Sequence, residues 1–251
     1  MEAIAPPIYY DWSFWAVVVA AIAVLLSQLP PIPAWFKKAK LEIELYSKIY
    51  ITHKVGNPNL QLHLIINNIG GRKVRIKDIS ATIERDDNLV ATLPAQNYLQ
   101  NQTDKSTLLF TTFSLKPTDE WAHIINLLNF FNRDNENEYR NLEARMRADC
   151  RRKTAALTEK PNAPIEIDDA FVQPFHSFFN RHFVWNTGEF QMTVKITTDL
   201  EKANISKKYR FTVFESHTDQ LKAITEHYKF GGGIWWDPNI PTNVILDIKE
   251  A

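Results

Sequence analysis

The stretch "LQLHLIINNIGGRKVRIKDISATI", Leu60 to Ile83, decides the architecture. Its first part puts Leu60, Leu62 and Leu64 on one face and Gln61 and His63 on the other. A period of two with one polar face is the pattern of a half-buried strand. Gly70 and Gly71 then turn the chain, and Val74, Ile76, Ile79 and Ile83 resume the apolar face. The longer step from Ile76 to Ile79 predicts a bulge near Asp78.

The same pattern extends both ways. Upstream, "LEIELYSKIY" sets Leu41, Ile43 and Leu45 against Glu42 and Glu44, and "HKVGNPN", His53 to Asn59, reads as a turn. Downstream, strands are predicted at "STLLFTTFSL" (Ser106–Leu115), "EFQMTVKITT" (Glu189–Thr198) and "KYRFTVFE" (Lys208–Glu215). Short strands punctuated by turns predict a mainly β chain, an antiparallel β-sandwich. A helical insertion is expected at about 118–153. Pro117 and Thr118 suit a helix start, and Trp121, Ile124, Ile125 and Leu128 stand at helical spacing. Tyr139, Leu142, Met146 and Cys150 form a second such stripe. "TAALTEKPNAP" reads as a linker, and a short helix is expected from Thr218 to Lys229, stopped by glycine.

Through Leu60–Ile83 the chain resembles the generic immunoglobulin-like β-sandwich. It lacks the Cys…Trp…Cys spacing of antibody-type domains. The resemblance implies packed antiparallel sheets and, being one of fold, implies no activity.

Before this domain stands a different kind of segment. From Trp12 to Leu29 there is no charged residue, Asn or His. Eighteen helical residues rise about 27 Å, close to a hydrocarbon core of roughly 30 Å. Trp12 and Trp15 flank one end and Trp35 the other, the expected aromatic belts. Pro30, Pro31 and Pro33 stop the helix. A buried helix of a soluble core would be shorter, and a cleaved signal would need basic residues before the apolar run, where Met1–Asp11 has none. The expected organisation is a tail at 1–11, a transmembrane helix at 12–29, a Pro/Lys linker at 30–40 and a sandwich domain at 41–251. Lys37, Lys38 and Lys40 follow the span directly. The positive-inside rule then puts the N-terminus outside and the domain in the cytoplasm.

Formal net charge is zero, so no global basic excess points to nucleic acid. A single cysteine, Cys150, excludes an intramolecular disulfide and fits a reducing compartment. No nucleotide-binding, nucleophile-elbow or metal-binding motif appears, so neither a cofactor nor a metal is expected. A binding module is expected rather than an enzyme, with a protein partner or an anionic ligand, in the setting of a bacterial membrane-associated complex. The candidate anion site is the basic end of the insertion: Arg145, Arg147, Arg151, Arg152 and Lys153. The same cations would also complement a helix C-terminus. The candidate interface is Trp235 and Trp236 in "FGGGIWW". Two rival readings remain. One is an enzyme with a dispersed site using His176, His182 or Cys150; the other is an extracytoplasmic structural domain.

Overall fold

The structure is a computed structural model that describes residues 12–28, 38–100, 103, 106–157 and 164–251. Helix α1, Trp12–Gln28, comes first. Strands β1 (Leu41–Lys54), β2 (Asn57–Asn68), β3 (Val74–Arg85) and β4 (Asn88–Leu99) follow, then the short β5 (Leu108–Leu109) and β6 (Phe113–Leu115), and β7 (Glu120–Leu128). Helices α2 (Arg133–Ala155) and α3 (Asp169–His182) separate these from β8 (Gly188–Thr198) and β9 (Ile205–Val213). Helix α4 (Glu215–Lys222) runs into a 3-10 segment, Ala223–Phe230, before the closing strands β10 (Val244–Asp247) and β11 (Lys249–Glu250).

All the strand pairs are antiparallel, in the order β10-β1-β2-β7-β4-β3-β8-β9-β11. The expected antiparallel β architecture is therefore present, but the ladder is continuous and curls into a nearly closed barrel. Closure is made by residues 244–250. β10 pairs with β1, and two residues later β11 pairs with β9. The inward alternation read from the sequence is the observed one: Leu60, Leu62, Leu64, Val74, Ile76, Ile79 and Ile83 are all buried. The bulge lies between Ile76 and Asp78 in the β3–β8 ladder, where expected.

The insertion expected at 118–153 is corrected. Glu120–Leu128 is strand β7, held between β2 and β4, and only Arg133–Ala155 is helical. Trp121, Ile125 and Leu127 point inward at period two, so the apparent helical spacing was coincidental. Thr118 starts no helix; its φ of 71° belongs to a turn.

Helix α1 differs from the span expected at 12–29. It has 17 described residues, a rise of about 26 Å. No helix among the described residues is long and apolar enough to cross a membrane. Trp12, Val17, Val19 and Leu25 are each more than half exposed. Trp35 and Lys37 lie outside the described residues, whereas Lys38 and Lys40 are exposed.

The barrel has two unlike ends. At one lie the start of β1, the β2–β3 loop, the β6–β7 turn and the β8–β9 connection. At the other lie the β1–β2 and β3–β4 turns, and there the β1–β2 turn meets helices α3 and α4. The β1–β2 turn is left-handed at both central residues, Val55 (φ 48°) and Gly56 (φ 87°). Such turns match strand twist, but a β-branched residue in this region is strained. Val55 is 2% exposed, so packing against the helical layer holds it there.

Candidate functional site

The helical end is built around a ring of aromatic side chains. Phe179 and Phe183, at the end of α3, contact the His53 ring edge-on at 5.2 and 5.4 Å. His53 Nδ1 accepts from the Gly56 amide at 3.1 Å, so its Nε2 carries the proton and donates to Leu221 O at 2.9 Å. Burial lowers its pKa below 6.5, against the smaller opposing effect of the Leu221 carbonyl. His53 is thus a neutral structural residue that latches the hairpin tip to α4. Its sign in stability follows. Above about pH 6.5 it is neutral folded and unfolded; below, the unfolded chain takes up a proton that the folded one resists. Stability should fall as pH drops from about 6.5 toward the lowered folded pKa, by up to about 1.4 kcal/mol per pH unit from this group. Urea denaturation of the wild type and His53→Gln across that range checks it. Equal slopes for the two proteins would refute the assignment.

Beside this latch lies a groove of about 430 Å³. The hairpin tip contributes Lys54, the segment after β7 contributes Phe130 and Phe131, α2 contributes Tyr139 and Arg147, and the loop after the 3-10 segment contributes Trp235. Two features noted separately in the sequence meet here. The Arg147 guanidinium lies 4.8 Å from the Trp235 ring centroid, while its Nε donates to Glu143 at 2.7 Å. Tyr139 donates to Ile234 O at 2.9 Å, and Lys54 Nζ donates to the same carbonyl at 3.0 Å. Burial, reinforced by nearby Glu143, pushes the Tyr139 hydroxyl up to about 12. Arg140 is paired with Glu136 and Glu143. Phe130 is 69% exposed at the rim. No Cys, His or Ser lines the groove, so it holds no nucleophile–base pair of those types. An aromatic wall beside three cations, Lys54, Arg140 and Arg147, and two acids, Glu136 and Glu143, is suited to binding.

Of the rest of the basic cluster, Arg152 and Lys153 are tied into the protein. Asp149, 3% exposed, accepts from Arg152 and from the Asp168 amide at 3.0 Å, and Lys153 Nζ lies 3.4 Å from it. Arg152 and Lys153 also reach Asp168, at 3.0 and 2.5 Å. Burial works against ionising Asp149, but the amide and the two cations outweigh it and hold its pKa below the usual range. This network fastens the end of α2 to the start of α3. Arg145 and Arg151 are exposed and make no ion pair among the described residues. The five basic residues therefore do not converge on one anion site. Trp236 is 40% exposed and donates to Phe230 O at 2.9 Å.

His176 packs on Tyr228, and His182 stacks on Phe178 with Nδ1 at 2.8 Å from its carbonyl. Cys150 is half-buried on α2. Among the described residues no hydrogen bond or ring contact joins these three, and no cluster of metal-ligating side chains exists. Phe130 and Lys54 were not singled out from the sequence. A signal existed only for Phe130, as an aromatic in the polar run that follows β7. No protein-family model matches the chain, and no curated protein matches its sequence.

Proposed function

We propose that the chain is a single-pass, membrane-tethered binding module, with its N-terminus outside and its barrel in the cytoplasm, that presents the helical end to a protein partner. The observation that carries the reading is the polarity of the barrel. The apolar helix leads into the start of β1 at one end, while the Trp235–Arg147 groove opens at the opposite end. A tether at one end leaves the other facing away from the bilayer. The apolar run from Trp12 to Leu29 is short for a bilayer, and thinning around a short helix costs only fractions of a kcal/mol per Å. The exposed aliphatic side chains of α1 are better accommodated in lipid than in water.

The test is membrane retention of the full chain. It should stay with membranes through an alkaline wash. Val18→Arg with Ile22→Arg should release it, since each arginine at mid-span costs about 2.5–3.5 kcal/mol. Release of the unaltered chain by the wash would refute the tether.

A further inference from the structure

We infer that the loop end of the barrel docks flat on the anionic lipid surface into which α1 inserts, through Lys38, Lys40, Arg72, Lys73 and the apolar tip Ile69; this rests on the tether reading above. The incoming chain is not a loose leash at this point. Lys38 O accepts from the Gly71 amide at 3.1 Å. Gly70 lies so close beneath the segment that a Cβ there would sit 2.5 Å from Lys40 N and 2.6 Å from Lys38 O. The two lysines and the β2–β3 loop are therefore one surface. Nine residues, 29–37, separate it from α1. Nine residues span at most about 30 Å when fully extended, so the loops cannot travel far from the headgroups.

The charge at this end suits that surface. Lys38, Lys40, Arg72 and Lys73 are exposed. Lys38, Lys40 and Lys73 enter no ion pair among the described residues. Two neighbouring carboxylates are turned onto backbone amides instead: Asp119 accepts from the Lys116 amide and Asp199 from the Arg75 amide, both at 2.8 Å. Glu42 and Glu120, both in register with Asn67, and Glu201 are exposed at the same end, where the four cations together with the exposed Lys116 and Lys202 outnumber them. Ile69, 48% exposed, leads the loop, where an aliphatic side chain between cations suits the headgroup boundary. Basic side chains held within a Debye length of anionic lipid are attracted additively, and a fixed platform loses less entropy on contact than a flexible tail.

The experiment uses the full chain in nanodiscs of phosphatidylcholine alone or mixed with phosphatidylglycerol, read by amide hydrogen exchange. Exchange across residues 69–73 should be about tenfold slower in the anionic discs, and the difference should vanish at high salt. Arg72→Glu with Lys73→Glu should abolish it while the chain stays in the disc and β3 exchanges as before. Equal exchange in both lipids, with the chain embedded, would overturn the docking and leave the tether standing. Failure of the chain to enter either disc would overturn the tether and the docking together.

Discussion

Replacing Trp185 by alanine is expected to cost about 3–5 kcal/mol, a large part of the stability of a domain this size. The indole is fully buried and faces Phe190 and Phe211, with ring centroids 6.0 and 6.4 Å away. Its Nε1 donates to Thr52 O at 2.8 Å, so the ring ties the start of β8 to the end of β1. Alanine would open a large cavity and leave that carbonyl without its donor. Phenylalanine should recover most of the packing but not the hydrogen bond, and cost about 1–3 kcal/mol. Urea denaturation at constant m-value measures both. A loss below 1 kcal/mol for the alanine variant would mean that the helical end contributes little to barrel stability.

The second large effect is expected at Gly56. Alanine there must adopt a φ of 87°, and its Cβ would lie 2.6 Å from Phe179 O and 3.0 Å from Phe183 N. Both obstacles are backbone atoms of the α3 terminus, so no side-chain rotation relieves them. The combined strain and displacement should cost about 2–4 kcal/mol. Because the Gly56 amide donates to His53, the variant should also lose the His53-dependent pH slope. A Gly56→Ala protein of normal stability that kept this slope would show that hairpin and helix can separate without consequence.

What could be read from the sequence follows from where the deciding contacts lie. Strands β1, β2, β3, β8 and β9 each have one face in the core and one in water, so their alternation is local information. The residues of β7 satisfy a helical and a strand pattern at once. Its partners β2 and β4 decide between them, and both are distant in sequence. Helix α3 carries a mixed signal, because Pro174 stands inside it. The closing strands are too short to carry a pattern. At the helical end, Arg147 and Trp235 were each visible as unusual, but their stacking depends on a path through α3, β8, β9 and α4. Arg152 and Lys153 looked like a ligand site because their acids, Asp149 and Asp168, read as ordinary helix and turn residues.

The closing strand has a consequence for how the protein is made. Lys48 and Asp247, which face each other across the β1–β10 ladder, are 199 residues apart. A ribosome adding about 5–20 residues per second needs roughly 10–40 s between them. During that interval the outer edge of β1 has no partner in its own chain, and an open strand edge pairs readily with a stranger. Nascent copies on one message are therefore most at risk of joining through β1. The risk ends when residues 244–250 leave the exit tunnel.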